Sequence, residues 1–581
     1  MKAITKILIV SMLICNVSYA QNFTKLSTNL NDYWYPSSDW ADMDNDGDLD
    51  LVISGAIDTN ASEFADTSSI DLYENVNGTL TRIEQPNLYG LHLGSVKFID
   101  IDNDGDQDLV TCGQNYNNIT NYFLTVYENN DGIYSVIQQL DGVIYSSMDL
   151  GDYDNDGDLD LLITGVGSNG LITTIYNNTN GTFSDASANL PGVQNGNAVF
   201  ADIDTDGDLD VIINGYDTNY DNFGGLYTNE NGLFSLGSLP FTSANSWIVM
   251  GDYDNDGDLD LAYTGYNDDY DNVTKIYNNN GVGTFTDSGI ALEGVSNGSG
   301  NNPIVWGDYD NDGDLDLVFA GTDNNYDDKV YLYVNNGAAF NLASEGLLNL
   351  GSYANLSFSD FDADADLDFL ISGGSDAENY VGRTHFYENT IAMSNAKPNA
   401  PNNLVSQINQ DNSITFTWGS ATDDLTPSEG LYYFLTVGTT ENGSEIASYK
   451  VQGNSWTLKN LGSTNYYWTL SAVDTCFMLS DKATNNTLSI ENVSRSDIFN
   501  IYPNPSTDKQ ITLVYDVNTL SSENNDVSIY SITGQKVFQT TLSSNQGFRN
   551  KSIDLSSLSN GIYMLQFTSG EFTTNKKIIL K

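Results

Sequence analysis

Short apolar runs recur through the first two-thirds of the chain at nearly even intervals. Leu161-Leu-Ile-Thr-Gly165 and Leu317-Val-Phe-Ala-Gly321 are two of them; each follows a cluster of aspartates and ends in glycine. A Tyr-x-Asn follows each run, at Tyr73, Tyr127, Tyr176, Tyr227, Tyr277, Tyr333 and Tyr387. Several copies close on a Phe-led segment, such as Gly181-Thr-Phe183 or Gly283-Thr-Phe285. Runs this short, bounded by Gly, Asn and Asp, predict strands. About four strands per fifty residues is the size of a propeller blade.

The aspartates preceding these runs follow one pattern, D-x-D-x-D-G-D-x-D, spaced 58, 52, 50, 50, 56 and 52 residues apart. The copies are Asp42, Asp44, Asp46, Asp48 and Asp50; Asp100, Asp102, Asp104, Asp106 and Asp108; Asp152, Asp154, Asp156, Asp158 and Asp160; Asp202, Asp204, Asp206, Asp208 and Asp210. They continue with Asp252, Asp254, Asp256, Asp258 and Asp260; Asp308, Asp310, Asp312, Asp314 and Asp316; and Asp360, Asp362, Asp364, Asp366 and Asp368. Such spacing is a coordination pattern. Calcium takes 6–8 oxygens at roughly 2.3–2.6 Å. Carboxylates at positions 1, 3 and 5 turn inward together, Gly at position 6 permits the positive φ, position 7 offers its carbonyl and position 9 closes the shell. Position 12 of the first copy is Ile53, not Glu, and the flanks read as strands, so this is not an EF-hand. Solvated turns are the alternative, but crowded aspartates without a counter-ion repel one another. Six calcium sites are expected. The seventh is doubtful, because Ala365 replaces the glycine and a left-handed alanine costs on the order of 1 kcal/mol.

These copies resemble the FG-GAP/VCBS repeats, whose known members form the seven-bladed propeller of integrin α-chains. The resemblance covers residues 21–392 and implies an all-β seven-bladed propeller. It places the calcium loops between the two innermost strands of each blade, on one face, and ligand contacts on the other. The last copy lacks a Phe-led strand, whereas Asn22-Phe-Thr-Lys-Leu26 precedes the first. That N-terminal segment is expected to complete blade seven and cover its edge.

Lys397-Pro-Asn-Ala-Pro401 reads as a linker. Ser413-Ile-Thr-Phe-Thr-Trp418 and the stretch Tyr466-Tyr-Trp468 then resemble a fibronectin type III β-sandwich over residues 396–486, with Trp418 as the buried tryptophan and Tyr466 as the corner tyrosine. Domains of this kind are usually spacers or weak binders. Residues 498–581 open on Ile501-Tyr-Pro-Asn-Pro505 and end on Lys576-Lys-Ile-Ile-Leu-Lys581. With Gly534 and Gly561 between, they resemble the C-terminal sorting domain read by the type IX secretion system of Bacteroidota. That likeness implies type IX machinery as a partner and an extracellular or outer-membrane surface location.

Residues 1–20 fit a signal peptide: Lys2 and Lys6, an apolar run from Ile7 to Ile14, and Val17-Ser-Tyr-Ala20 before the cut. The run is too short to span a bilayer, and no later segment is apolar enough. Only Cys112 and Cys476 remain after cleavage, which excludes a disulfide framework. The formal charge of -59 argues against nucleic acid as partner.

No catalytic constellation is visible. His92 and His385 lie in different repeats without an informative partner. Residues 21–392 hold only Lys25, Arg82, Lys97, Lys275, Lys329 and Arg383, few cations for an anionic substrate. A polysaccharide lyase or glycosidase on this scaffold is the alternative reading. The preferred one is a binding or adhesion module for a neutral glycan or a surface protein. Three loops, Gly215–Asp221, Gly265–Asp271 and Gly321–Asp327, carry Tyr220, Tyr270 and Tyr326 beside Asp and Asn. Trp34 and Trp247, with Tyr33, Tyr35 and Tyr353, are expected on the same face at the entries to the innermost strands. Capping of the blades by these aromatics is the competing reading.

Overall fold

The computed structural model describes residues 22–581 apart from 60–64, 131, 298–300, 338, 344–345, 352, 376–380, 392, 410, 412, 442, 462–464, 490–498, 508, 517–524, 532–534, 543–547 and 570–571. The expected signal peptide lies outside them. Every regular element among the described residues is a strand. The chain divides into two compact units, Met1–Ser489 and Ile490–Lys581.

Among the described residues of the first unit, seven antiparallel sheets follow one another from Phe23 to Asn389. The first holds Trp34–Ala41, Asp50–Ile57, Thr67–Asn75 and Leu80–Ile83, paired in chain order. Sheets two to five repeat this meander, starting at Val96, Val143, Ala198 and Ala244. Each second strand is the apolar run of a repeat and is buried on both sides: Leu51, Val52 and Ile53 are fully buried, as are Leu161, Leu162 and Ile163. Strands enclosed between neighbouring sheets need no polar face, which is why these runs do not alternate.

The seventh sheet takes three strands, Asn355–Ser359, Asp368–Ser375 and Val381–Asn389, from the end of the repeats and its fourth, Phe23–Lys25, from the chain start. Phe23 pairs with Asn389 and Lys25 with Tyr387. The Phe23 ring packs 5.0 Å from Tyr309 and 5.8 Å from Phe369. Sheet seven also meets sheet one: Trp40 Nε1 donates to Ser357 Oγ at 3.0 Å, and Ser38 to Asn355 at 2.5 Å. The sheets therefore close on themselves in a propeller-like arrangement that buries both edge problems at one seam.

Sheet six departs from the pattern. Its first strand is split into Val295–Ser296 and Ile304–Gly307, both paired with Asp316–Asp323. The wider spacing of 56 residues before this sheet's aspartates supplies the extra chain. From this insertion Asn301 reaches over to sheets one and two, donating to the Gly94 and Pro36 carbonyls.

Residues 402–489 form a sandwich. Asn402–Ile408, Ile414–Gly419 and Ser455–Leu458 make one sheet; Ala447–Val451, Tyr432–Gly438, Asn465–Val473 and Ala483–Ser489 make the other. Trp418 lies between them, 5.3 Å from Tyr433 and 6.5 Å from Trp468. The second unit, taken by itself, pairs a three-stranded with a four-stranded sheet around Ile511, Leu513, Val527, Ile529, Leu565, Phe567 and Ile578.

Candidate metal centres and ligand face

Each aspartate loop joins the first and second strands of its sheet. The fold inside the loop is set by the position 1 carboxylate, which accepts the amides of positions 5 and 6. In loop one, Asp46 N and Gly47 N each reach Asp42 at 3.0 Å. In loop three, Asp156 N and Gly157 N reach Asp152 at 3.0 and 2.9 Å. The position 6 glycines stand at φ of 88–104°, where a Cβ is strained. Ala365 adopts φ 75° there, and its loop is slacker. Its amide is 3.3 Å from Asp360, and Asp366 N is 3.4 Å from Asp364, against 3.0–3.1 Å for the latter bond in loops one, three and six.

Position 9 and the Tyr-x-Asn asparagine lock together. Asn75 N donates to Asp50 Oδ1 at 2.7 Å, and its amide donates to the Phe361 carbonyl of the preceding sheet at 2.6 Å. The same pair of bonds recurs at Asn129, Asn178, Asn229, Asn279, Asn335 and Asn389. A third recurrent link was not read from the sequence. Position 4 is left-handed in every loop, φ 54–60°, and is Asn in five of them. Asn103 donates to Asp158, Asn155 to Asp208 and Asn255 to Asp314, always toward the next loop. The signal was available: Asn tolerates this conformation better than most residues.

The carboxylates converge. One oxygen from each of Asp42, Asp44 and Asp50 lies within 4.8 Å of the others, and the same holds for Asp100, Asp102 and Asp108, for Asp152, Asp154 and Asp160, and for Asp252, Asp254 and Asp260. In loop four the converging set is Asp202, Asp204 and Asp206. Burial, then neighbouring carboxylates, push Asp160 up to about 10; burial likewise raises Asp260 to about 8 and Asp368 to about 9. At position 3, the Oδ1 atoms of Asp154, Asp204, Asp310 and Asp362 are buried without a hydrogen-bond partner. Converging carboxylates with buried, unpartnered oxygens fit a hard divalent cation, which would supply the missing charge and the missing partner at once.

The sandwich packs on these loops. Tyr449 donates to Asp152 at 2.6 Å, and Trp456 Nε1 to the Tyr449 hydroxyl at 3.2 Å. The Lys459 ammonium is 2.8 Å from Asp208, both side chains largely buried. Thr475 donates to Asp308 at 2.8 Å, and the Cys476 thiol to Asn311 at 2.8 Å. Gln452 reaches the Gly257 carbonyl at 3.3 Å. Loops three to six are thus touched by hydrogen-bonding groups of the sandwich. Its residues Tyr432 and Lys450 also end an axial cavity of about 400 Å³ walled by the first strands of the sheets.

The opposite ends of the sheets carry the aromatic candidates. Tyr220, Tyr270 and Tyr326 are 70%, 70% and 89% exposed, each at φ near 63°. An Asx turn holds each one, as Asp217 accepting from Asn219 and Asp221 shows. The three loops are linked side by side: Asn222 donates to the Asn267 carbonyl, and Asn272 N to Asn324. Trp34 stands apart, 4.6 Å from Tyr35, beside a cleft of about 490 Å³. Trp247 does not join them. It lies deeper: Trp34 pairs with Ala56 before the bulge of its strand, whereas Trp247 pairs with Thr264 past the corresponding bulge and lines the axial cavity. Tyr33 is fully buried and bonds Asp71, so it belongs to the core. His92 Nδ1 is 2.9 Å from the Gln114 carbonyl, and His385 Nδ1 3.1 Å from the Tyr387 hydroxyl. Arg82, Lys97, Lys275, Lys329 and Arg383 each lie within 4 Å of an aspartate.

Residues 500–581 match the family described as the secretion system C-terminal sorting domain. Residues 100–163, 152–213, 252–319 and 308–371 match the FG-GAP-like repeat. The chain therefore carries FG-GAP-like repeats and a type IX sorting domain, which marks it for export to the cell surface or extracellular space. Among the described residues, no helix is long and apolar enough to cross a membrane. The chain is similar to a solved extracellular domain of a hybrid two-component system from B. thetaiotaomicron, at 12% identity and a TM-score of 0.35, over 81% of this chain and 57% of that one. It is also similar to the FN1–FN3 domains of chicken CNTN1, at 12% identity and a TM-score of 0.14, over 48% of this chain and 99% of that one. No curated protein matches it.

Proposed function

We propose that this chain is a secreted or surface-held binding module: a seven-bladed propeller stiffened by calcium, followed by a type III-like sandwich, without enzymatic activity of its own. In this reading the aspartate loops hold structural calcium, and the ligand is met at the opposite ends of the sheets. The observation that carries it is the row of Tyr220, Tyr270 and Tyr326. A tyrosine at positive φ is strained, and strain repeated at one place in three neighbouring sheets is retained for a reason. Each ring is held out to solvent by its Asx turn, next to amides and carboxylates. Apolar ring faces beside hydrogen-bonding groups suit the pyranose rings of a neutral glycan, which offers apolar faces and hydroxyl edges.

A glycan array probed with the full chain in calcium tests this. Binding to neutral glycans that falls at least tenfold when Tyr220, Tyr270 and Tyr326 are all changed to Ala is the expected result. Binding unchanged by the triple substitution, or no neutral glycan bound at all, contradicts it. Release of reducing ends from any bound polysaccharide would make the protein an enzyme.

A further inference from the structure

The sandwich meets the propeller-like sheets through the parts of the loops whose positions a cation would fix. Tyr449 and Thr475 bond position 1 carboxylates, Asp152 and Asp308. Lys459 pairs with a position 7 carboxylate, Asp208, and its amide bonds the Asn155 carbonyl at position 4. Cys476 bonds Asn311, the position 4 residue of loop six. The fit is close: a Cβ on Gly157 would overlap the Ile446 carbonyl, and one on Gly313 the Leu425 carbonyl. Loops one and seven receive no such group among the described residues.

An interface built on loop atoms is only as firm as the loops. Without a cation, each loop holds several carboxylates within a few ångströms, and their repulsion drives them apart. The bonds from Tyr449, Thr475 and Lys459 require those same carboxylates to stay in place. The sandwich also closes one end of the axial cavity, where the Lys450 ammonium sits 4.2 Å above the Tyr432 ring.

Resting on the calcium reading above, we propose that the sandwich is a cap whose seating on loops three to six depends on their being filled. Cation release unseats the cap and opens the axial cavity. Linkage is reciprocal: whatever cation binding contributes to seating, seating contributes to cation retention in those four loops. Two classes of site follow, covered ones that release calcium slowly and uncovered ones in loops one and seven that release it fast.

Cys476 reports on the cap, because its thiol is buried against Asn311, while Cys112 is buried within sheet two and serves as the internal control. The full chain is exposed to a thiol-alkylating reagent in calcium and in chelator, each cysteine is followed by mass spectrometry, and bound calcium is measured on the same samples. The expected result is labelling of Cys476 that rises on the order of tenfold in chelator, a shift of about 1.4 kcal/mol in seating, with Cys112 still protected. Equal protection of Cys476 in both conditions, in samples that do bind calcium, overturns the cap and leaves the calcium reading intact. Simultaneous exposure of Cys112 and Cys476 also overturns it, since the unit then opens as a whole. Absence of bound calcium removes both. The double variant Lys459→Gln with Thr475→Val tests the cap without chelation: labelling of Cys476 in calcium is expected to rise several-fold with Cys112 unchanged, and no rise contradicts the proposal.

Discussion

Loops one and three differ in sequence at a single position, Met43 against Tyr153, yet they occupy different environments. In loop one, Asp44, Asn45, Asp46 and Gly47 are exposed. In loop three, Asp152, Asn155 and Gly157 are buried, and the cause is a sandwich encoded some three hundred residues later. Burial raises Asp50 to about 6 in the first loop and Asp160 to about 10 in the third. A motif thus specifies its own hydrogen bonds, while its electrostatic setting comes from whatever packs on it.

The difference between the two loops can be broken in stages. Asp152→Ala removes a position 1 ligand and strands the buried Tyr449 hydroxyl, so about 3 kcal/mol of stability in calcium is expected to go, against about 1 for Asp42→Ala. Urea unfolding of the two variants measures this, and equal losses would show that the cover is inert. Gly157→Ala and Gly47→Ala share the left-handed cost at φ 104° and 101°, but only the former collides with the sandwich. Gly157→Ala is expected to exceed Gly47→Ala by about 2 kcal/mol in the same assay.

Acidity separates the loops next. In metal-free protein the folded carboxyls titrate above their unfolded values, so their contribution is present below about pH 4 and lost as pH rises through the folded values. For Asp50 the loss ends near 6 and for Asp160 near 10. Stability in chelator should therefore fall from pH 6 to 9, by roughly 1 kcal/mol per pH unit for each carboxyl in transit, and thermal midpoints should fall with it. A rise over that range in chelator would contradict the raised carboxyls. The smallest effect belongs to the slack seventh loop: Ala365→Gly relieves φ 75° and should stabilise by somewhat less than 1 kcal/mol in calcium, read from the denaturation midpoint.

Strand identity, the loops and the strand pairing of the repeats were legible because each rests on local chemistry: an apolar run, a glycine where φ must be positive, an asparagine two residues after a tyrosine. Asn75 and its six counterparts turned out to do more than end a strand, since each ties position 9 to the neighbouring sheet. What the sequence hid was set by distant packing. Trp247 reads like Trp34, but it stands past the bulge that Trp34 precedes, and so it lines the axial cavity. Asn301 was silent until the split strand of sheet six carried it across to Gly94. The seating of Tyr449 and Lys459 on the loops depends on the shape of two folded surfaces, which no spacing rule reports.

The central claim is that the aspartate loops are filled. Equilibrium dialysis of the full chain against calcium, with the bound metal counted by atomic emission, tests it most directly. Six or seven equivalents per chain is the expected result, from the six intact copies and the one that carries Ala365. Two or fewer, with the fold intact, would contradict it.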